Sequence, residues 1–587
     1  MKDFVKYTLA TLCGLFIAGV ATIILGILSI IGMLATDNGT SPIQPHSMLR
    51  LTLNGILQED APEDPFGALF GSTYPVLSQK AILTAIQAAK TDPDISGIYI
   101  EAQTLAGAPP AMLQEIRESL ADFKKSGKPI IAYGDHYTQG CYYICSVADK
   151  VVLNPQGQVT WCGMSSQPIF YKDLLEKVGI KMQVFKVGSY KSAVEPYVAT
   201  EMSEANREQI TSYLNDIWQT MLADVSRSRN LPEERLNAYA DSMTTFRPAE
   251  ELRKMGLVDT LCYIDGVSGL LRKATGKTTG TLPFADVKSM AATADAIPKT
   301  GDKIAVYYAY GDIVDRSTGW DDAVIDAEKT CRELKKLRED ESVKAVVLRI
   351  NSGGGSAYAS EQIWHEVELL KAAKPVVASM GGMAASGGYY ISCAADYIVA
   401  EPTTLTGSIG IFGLIPDASQ LLTDKLGLHF DVVKTNRHAD FGTMARPFDA
   451  SEAAILQGYI RKGYGLFTQR VAEGRDIDIR EVEQIAEGRV WTGRQAARIG
   501  LVDTTGNLQS AIRKAAELAK TTDYHTVASP LPAPWYEGLL DTPKEDYLNS
   551  ALRETLGTYY TPFMNLAKIR HLSGIQARLP YEPNLNN

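Results

Sequence analysis

The stretch "GGMAASGGYY", residues 381–390, has a counterpart much earlier in the chain, "GDHYTQGCYY", residues 134–143. Aligning the two tyrosine pairs places the segments 247 residues apart, since 389 − 142 = 247. Ser386 of the later copy then falls opposite Gln139 of the earlier one. A segment that occurs twice, with a hydroxyl in only one copy, indicates a duplicated fold whose halves have taken different roles.

The repetition extends well beyond these ten residues. "SGIYIEAQTLAG" (96–107) matches "KAVVLRINSGGG" (344–355) at an offset of 248, and "RPAEELRKMGLVD" (247–259) matches "WTGRQAARIGLVD" (491–503) at 244. "EKVGIKMQVFKVGSYKSA" (176–193) matches "DKLGLHFDVVKTNRHADF" (424–441), again at 248. The nearly constant offset predicts two homologous domains, an N-terminal repeat at 45–280 and a C-terminal repeat at 302–520. The small, polar segment 281–301 is predicted to be a linker, and the tail 521–587 has no counterpart.

Each repeat alternates short apolar runs with helical patterns. In the C-terminal repeat, "SEQIWHEVELLKAA" (360–373) is apolar at helical spacing and lies between candidate strands "KIAVYYAY" (303–310), "KAVVLRI" (344–350), "PVVASM" (375–380) and "DYIVAE" (396–401). Continuous apolar strands separated by helices are typical of an α/β fold with a mainly parallel sheet that is covered on both faces.

Composition excludes several classes of protein. The net charge of −10 over 587 residues, without a basic run, argues against a nucleic-acid binder. The seven cysteines are scattered, which argues against a disulfide framework. The closest pair, Cys141 and Cys145, has only His136 nearby as a further soft ligand, so we expect buried thiols there and no metal site.

The N-terminus contains a membrane-anchor pattern. Residues 7–36 carry no charge, which is long enough to span a bilayer and too long for the apolar region of a cleavable signal peptide. Lys2 and Lys6 precede this stretch, so the positive-inside rule leaves residues 1–6 in the cytoplasm and exports the rest. The alternative is a buried core helix, although such a helix seldom runs this long.

Two segments of the C-terminal repeat have the residues for nucleophilic catalysis. "RINSGGGS" (349–356) runs from a strand into three glycines, which let backbone N–H groups approach a ligand closely. Ser386 stands where a strand meets a helix that begins near Gly387, a place where free N–H groups can stabilise an oxyanion. The alternative is that Ser386 only caps this helix.

A nucleophilic serine needs a base, and none of the seven histidines lies in a recognisable triad motif. The N-terminal repeat offers Lys191 in "GSYKSAVEP" (188–196), whose counterpart at an offset of 248 is Ala439. One repeat therefore has the lysine without the serine, and the other has the serine without the lysine. A Ser386–Lys191 dyad shared between the repeats explains both losses, whereas an exposed structural lysine explains neither.

Together these motifs resemble the signal peptide peptidase A family of serine peptidases in its long, tandem-repeat form. The match rests on the apolar N-terminus, both repeats, "YKSAVEP", "NSGGGS", "AASGGYYIS" and "LTGSIGIFG". The family's usual loop reads Asn-Ser-Pro-Gly-Gly-Ser, and Gly353 replaces its proline here. The resemblance implies two tandem crotonase/Clp-protease-like domains, each a spiral of ββα units, behind one transmembrane helix.

The resemblance also implies a mechanism. Ser386 is the nucleophile, Lys191 the general base and Ser408 the residue that orients the lysine, while Gly387 and Gly354 form the oxyanion hole. No metal or cofactor is required. The implied substrates are cleaved signal peptides, at the outer side of the inner (cytoplasmic) membrane, and the implied assembly is a homotetramer.

Two other functions remain open from the sequence. A crotonase-fold enzyme acting on acyl-CoA would use the same glycines, although an exported domain lies away from coenzyme A in the cytosol. A non-catalytic envelope scaffold would tolerate half-degenerate repeats, although it would not need to keep Ser386, Lys191 and the glycine loop.

Overall fold

A computed structural model describes residues 42–60, 75–277, 280–296, 300–317, 324–530 and 574–579, together with a few isolated positions before residue 23. The strands in these ranges are β1 Ser47–Gln58, β2 Val76–Ser78, β3 Ile95–Ala106, β4 Ile130–Tyr137, β5 Lys150–Val159, β6 Lys181–Lys186, β7 Thr260–Leu261, β8 Phe284–Ala285, β9 Asp302–Tyr310, β10 Asp312–Val314, β11 Val324–Asp326, β12 Val343–Ser352, β13 Gly354–Ser356, β14 Val376–Ala385, β15 Tyr397–Ala400, β16 Leu405–Gly407, β17 Phe412–Asp417, β18 Val490–Thr492, β19 Thr504–Thr505, β20 Tyr524–Ser529 and β21 Gly574–Arg578.

The α-helices in the same ranges are α1 Gln79–Thr91, α2 Pro110–Phe123, α3 Gln139–Cys145, α4 Lys172–Val178, α5 Glu195–Val198, α6 Glu204–Arg229, α7 Glu233–Ala240, α8 Ala249–Lys254, α9 Ile264–Thr275, α10 Val287–Ala296, α11 Ala327–Glu339, α12 Ala357–Ala373, α13 Gly387–Ser392, α14 Ala450–Arg475, α15 Ile479–Ile485, α16 Gly493–Arg498 and α17 Leu508–Leu518.

Each repeat is built around a sheet that is largely parallel. In the N-terminal repeat the strands run in the order β2-β1-β3-β4-β5-β7 with β8 beside β1, and every pair is parallel. In the C-terminal repeat the order is β18-β16-β14-β12-β9-β20, with β15 and β19 branching from β14, and the pair β16–β18 is antiparallel. The predicted α/β fold with two repeats is confirmed.

Packing explains why the predicted strands are apolar along their whole length. Along β12, Val346 and Leu348 face a core that includes residues of α12, whereas Ala345 and Val347 face a core that includes residues of α17. A strand buried on both faces has no solvent-facing positions to fill with polar residues. The four strands and the helix predicted from the C-terminal repeat are all present, as β9, β12, β14, β15 and α12.

A third sheet connects the two repeats. Its order is β11-β10-β13-β21-β17-β6, so a strand of the N-terminal repeat, β6, lies at one edge. β6 pairs antiparallel with β17 of the C-terminal repeat, from Lys186 opposite Phe412 to Lys181 opposite Asp417. This pairing fixes the chain that follows β6 against the C-terminal repeat.

A buried ion cluster also joins the repeats. Arg349 of β12 is fully buried and donates from Nε to Glu59 at 2.6 Å and from Nη2 to Glu115 at 2.5 Å. Both carboxylates belong to the N-terminal repeat. Because a buried charge that loses its partner is costly, this cluster opposes separation of the two repeats.

The segment between the repeats and the C-terminal tail both contribute to the sheets. Within the predicted linker 281–301, β8 pairs with β1 and Met290 of α10 is buried in the N-terminal core. The tail contributes β20 to the C-terminal sheet and β21 to the third sheet. The predicted anchor at 7–36 lies outside the described ranges, and no described helix is both long and apolar enough to cross a membrane.

Candidate active site

Ser386 stands at the end of β14, where the chain turns directly into α13. Its backbone has φ 55° and ψ −113°, a conformation that a non-glycine residue rarely adopts and that costs about 1–3 kcal/mol. Its side chain makes no capping hydrogen bond to the helix. Ser386 therefore does not cap α13 with its side chain, and its hydroxyl is available for contacts with other residues.

Lys191 reaches Ser386 from the N-terminal repeat. The loop after β6 carries Lys191, and its Nζ lies 2.7 Å from Ser386 Oγ, with both side chains fully buried. Two glycines make room for the lysine. A methyl group added at Gly488 would lie 2.7 Å from Lys191 Cβ, and one added at Gly410 would lie 3.2 Å from Lys191 Cδ. Larger residues at these positions would displace the lysine.

Burial lowers the pKa of Lys191 well below its ordinary value of 10.5. No carboxylate contributes to this shift, so desolvation alone disfavours the ammonium form. A neutral amine has a lone pair that can accept the hydroxyl proton of Ser386. The site therefore has the electrostatic setting that a lysine base requires.

Ser408 makes two further contacts with the lysine. Lys191 Nζ lies 3.0 Å from Ser408 Oγ and donates to the Ser408 carbonyl oxygen, also at 3.0 Å. Ser408 has φ 51°, in the left-handed region, and its own N–H donates to the Arg489 carbonyl at 2.7 Å. With Ser386, these contacts surround the lysine nitrogen and fix its direction.

The glycines predicted to hold the oxyanion lie together beside Ser386. A methyl group added at Gly354, which has φ 99°, would lie 2.7 Å from the Gly387 nitrogen and 2.0 Å from the carbonyl oxygen of Ala577. The Gly354 N–H donates to Ser352 Oγ at 3.1 Å, so it has to turn before it can donate to an oxyanion. Only glycine allows the backbones to approach this closely.

The corresponding site in the N-terminal repeat is filled by Gln139. Its Oε1 accepts from the N–H groups of Cys162 and Gly163 at 2.9 and 3.0 Å, and its Nε2 donates to the Gly163 carbonyl at 2.9 Å. The Gln139 amide thus fixes the loop at Cys162 and Gly163 by hydrogen bonds. At an offset of 248, Cys162 corresponds to Gly410, whose carbonyl oxygen lies 3.5 Å from Ser386 Oγ. In this repeat the position that corresponds to Ser386 therefore holds a side chain that stabilises a loop.

Sequence reasoning missed Gln209, which supports the lysine loop. Its Nε2 donates to the Tyr190 carbonyl and to Ser192 Oγ, both at 3.0 Å, and its Oε1 accepts from the Val490 N–H at 3.1 Å. Gln209 therefore holds both neighbours of Lys191 and links them to the C-terminal repeat. The sequence offered one signal, the spacing of Asn206 and Gln209, because residues three positions apart lie on the same face of a helix. In the structure both side chains are buried on that face of α6.

Comparison with known proteins identifies relatives of both repeats. The model of peptidase family S49 matches residues 122–277 and 368–522, one segment in each repeat, and the model of the Clp protease family matches residues 317–404. "Protease 4" of Salmonella typhi is 39% identical over 467 residues, which cover 78% of this chain and 75% of that protein. "Serine protease SPPA, chloroplastic" of Arabidopsis thaliana is 32% identical over 484 residues, 81% of this chain and 70% of that protein.

Shorter and weaker likenesses accompany these. "Putative signal peptide peptidase SppA" of Enterococcus faecium is 36% identical over 192 residues, 32% of this chain and 56% of that protein. Among solved structures, ClpP1 from Listeria monocytogenes is 16% identical with a TM-score of 0.22, covering 34% of this chain and 91% of that one, which is too low to carry a conclusion. With two matched S49 segments, one in each repeat, and relatives alike over most of their length, the chain belongs to peptidase family S49 and is a serine peptidase.

Proposed function

We propose that Ser386 and Lys191 form the catalytic dyad of this peptidase. The observation that carries the proposal is the 2.7 Å separation of Lys191 Nζ and Ser386 Oγ, with the lysine fully buried and no carboxylate in the described part of the chain contributing to its pKa. Lys191 accepts the hydroxyl proton as Ser386 attacks the peptide carbonyl. Backbone N–H groups at Gly387 and, after turning, Gly354 stabilise the oxyanion.

The second half of the reaction reverses the proton path. Lys191 returns its proton to the leaving amine, and the acyl group remains on Ser386 Oγ. Water then attacks the acyl-enzyme while Lys191 acts again as the base. Ser408 keeps the lysine nitrogen pointed at Ser386 throughout both steps and does not itself touch the substrate.

Cleaved signal peptides are the proposed substrates, and the printed name of the Enterococcus relative supports this choice. Met383 and Ala385 of β14, Leu405 of β16 and Val490 of β18 lie on strands near Ser386 and belong to one buried apolar cluster. Apolar surroundings of this kind suit the apolar core of a signal peptide. We further infer that residues 7–36 anchor the chain in the inner membrane with both repeats outside the cytosol, and that each repeat is a ββα spiral.

A matched pair of peptides tests the substrate. One is a synthetic signal peptide in detergent, and the other has the same length with its apolar core replaced by serine and glycine. We expect the full chain to cut the first within its core and leave the second intact, with Ser386→Ala as the inactive control. Equal cleavage of both peptides would refute the substrate class and leave the peptidase assignment in place.

We also propose a closed ring of four chains, and the repeat itself supports a contact between copies. At an offset of 248, the counterpart of β6 is 429–434 and the counterpart of β17 is 164–169, and Pro168 aligns with Pro416. Within the chain neither counterpart forms a strand. Residues 429–434 are exposed, and Val433 is 98% exposed, whereas 164–169 alternate between half-buried and exposed side chains and include the exposed Ile169.

The segments 429–434 and 164–169 suit each other because β6 and β17, their counterparts in the other repeat, already pair within the chain. Residues 429–434 of one copy would pair antiparallel with 164–169 of the next, repeating the contact that joins the two repeats inside one chain. Such a head-to-tail contact generates a ring if the rotation closes. The proposed number of chains in the ring, four, comes from the resemblance to the long form of signal peptide peptidase A.

A further inference from the structure

Four carboxyl groups and one guanidinium meet where the two repeats pack together. Glu59 and Glu115 of the N-terminal repeat pair with Arg349 in the buried ion cluster described above. Glu118 follows Glu115 by three residues on α2, and Glu401 lies in the turn between β15 and β16 of the C-terminal repeat. The side chain of Glu401 is fully buried. Because burial of an unpaired charge is costly, this excess of carboxyl groups needs protons or further partners.

Glu401 receives no hydrogen bond from an N–H group. Among the described residues, no donor reaches either of its two carboxyl oxygens. The group that Glu401 contacts is the carboxyl of Glu118. Two ionised carboxylates are both acceptors, so a hydrogen bond between Glu401 and Glu118 requires a proton on one of them.

The partners of Glu118 decide which of the two groups carries that proton. Gln114 Nε2 donates to Glu118 Oε1 at 3.3 Å, and Nδ2 of Asn507, the uncharged residue before α17, donates to Glu118 Oε2 at 3.1 Å. Glu118 therefore accepts at both oxygens, as a carboxylate does, whereas Glu401 accepts from no N–H group. This arrangement places the proton on Glu401, whose O–H then donates to Glu118.

The surroundings of Glu401 favour its protonated form. Burial raises the pKa of Glu401 well above its ordinary value of 4.5, and the negative charges of Glu118 and Glu115 on α2 raise it further. Arg349 of β12 lowers this pKa, but its guanidinium already donates to Glu59 at 2.6 Å and to Glu115 at 2.5 Å. Arg349 is therefore committed to two other carboxylates and does not neutralise Glu401.

The other charged groups around the carboxyl pair have partners of their own. Arg494 of α16, whose N–H donates to the Pro402 carbonyl at 3.1 Å, forms an ion pair with Asp216 of α6 at 2.6 Å. Burial raises the pKa of Glu118 as well, and the negative charge of Asp224 on α6 adds to this effect. These helices therefore bring no free positive charge to the pair.

Glu401 begins a turn that packs against the N-terminal repeat. In the same turn, Thr403 Oγ1 donates to Gln114 Oε1 of α2 at 2.7 Å. The turn leads into β16, where the Gly407 carbonyl accepts the Ser386 N–H at 2.8 Å. The turn 401–404 thus connects the contact between the repeats with the strand beside the nucleophile.

We propose that Glu401 carries a proton that it shares with Glu118, and that this proton holds the turn 401–404 against α2 of the other repeat. When the proton leaves to solvent at alkaline pH, two neighbouring carboxylates repel each other at a buried contact, and the contact between the repeats weakens. The effect on stability follows from the carboxyl pair alone, whereas the effect on the nucleophile rests on the proposed dyad.

Thermal unfolding at several pH values tests the shared proton. An unfolded chain loses the Glu401 proton near the ordinary value of 4.5 and the folded chain only at higher pH, so the stability that this proton provides falls as pH rises between the two. Glu401→Gln has the same shape, donates an amide N–H to Glu118 and cannot ionise. Between about pH 6 and about pH 9, we expect the melting temperature of the native chain to fall by about 3 °C more than that of Glu401→Gln.

Glu341→Gln, which changes an exposed glutamate, is the matched control and should follow the native chain at every pH. Equal declines of the native chain and Glu401→Gln would overturn the proposal. It would also be overturned if Mg²⁺ or Ca²⁺, added at about pH 9, stabilised the native chain and not Glu401→Gln, because a cation would then join the two carboxylates.

Infrared spectroscopy of the native chain detects the proton without any substitution. At about pH 7 ordinary aspartate and glutamate side chains are ionised, so the carbonyl stretch of a protonated carboxylic acid should come from a buried group such as Glu401. We expect this band at about pH 7 and its loss at alkaline pH. Its absence at about pH 7 would overturn the proposal, however the variants behave.

Labelling of Ser386 separates this inference from the catalytic one. The native chain and Glu401→Gln are incubated at about pH 9 a few degrees below melting, returned to about pH 7 and treated with a fluorophosphonate. We expect the native chain to lose its capacity for labelling about threefold faster, because its repeats separate more readily. Equal rates of loss would overturn the connection between this contact and the nucleophile. If Ser386 is never labelled although the melting curves show the expected difference, the dyad is refuted and the shared proton stands.

Discussion

Lys191 Nζ and Ser386 Oγ lie 2.7 Å apart although 195 positions separate them in the chain and each belongs to a different repeat. The contact depends on the antiparallel pairing of β6 with β17, which carries the lysine loop across the boundary between the repeats. Neither repeat holds a complete dyad, since Gln139 and Ala439 occupy the two corresponding positions.

Loss of either member of the dyad should abolish activity without unfolding the chain. Lys191→Ala and Ser386→Ala are compared with Lys177→Ala, an exposed lysine at the end of α4. We expect no measurable peptide hydrolysis from the first two and normal hydrolysis from the third, with circular dichroism confirming that all three are folded. Substantial activity in folded Lys191→Ala would remove the lysine from the mechanism.

Ser408 offers a way to separate positioning from stability. Ser408→Ala and Ser408→Gly both remove the hydroxyl next to Lys191, and the loss of one hydrogen bond should lower kcat by about 10–100-fold with little change in KM. Glycine accepts the left-handed φ of 51° without strain, so Ser408→Gly should remain at least as stable as the native chain. If kcat is normal in Ser408→Gly, the serine serves only the turn.

The pH dependence of the nucleophile should report the buried lysine. Lys191 is the base only when neutral, and burial lowers its pKa well below 10.5, so the neutral form persists to lower pH than for a free lysine. The rate of Ser386 labelling should therefore rise with pH through an apparent pKa well below 10.5 and level off above it. A rate that is still rising towards pH 10.5 would mean that the lysine is charged in the folded enzyme.

Mixing two inactive variants decides which chains share a site. Lys191→Ala and Ser386→Ala proteins are unfolded together, refolded together and assayed. Because the two residues meet within one chain, every site keeps one defective member and the mixture should stay inactive. Recovery to about a quarter of wild-type activity, as random mixing of neighbours gives, would show that the dyad pairs between chains.

The proposed contact between copies can be tested at the level of single residues. Leu414 lies opposite Val184 in the pairing of β17 with β6, and the corresponding positions at an offset of 248 are Ser166 and Val432. Opposed residues in an antiparallel pair are close enough for a disulfide, so Ser166→Cys with Val432→Cys should form intermolecular cross-links on oxidation.

Register provides the control for that experiment. Ser166→Cys with Val433→Cys places the second thiol on the opposite face of the strand and should give no more cross-linking than the native cysteines do. Equal cross-linking by both pairs, or a chain that is monomeric by light scattering, would contradict the proposed contact.

Local patterns and the spacing between them were enough to predict the duplication, the α/β pattern of each repeat and Ser386 and Lys191 as the candidate catalytic pair. The apolar patterns of the C-terminal repeat correctly predicted four strands and one helix, β9, β12, β14, β15 and α12. These predictions succeed because the residues that favour each element locally are also the residues that the fold buries. The absence of the serine from one repeat and of the lysine from the other could also be recognised from the sequence, because it follows from aligning the two copies.

How these residues come together depends on long-range contacts that no local pattern predicts. The bond between Gln209 and the Val490 N–H and the pairing of β21 with β13 beside Gly354 each join parts of the chain that lie more than 200 residues apart. Unpaired backbone groups at such edges must find partners, and which segment pairs with which is settled by the burial and shape of the whole molecule, not by any local pattern.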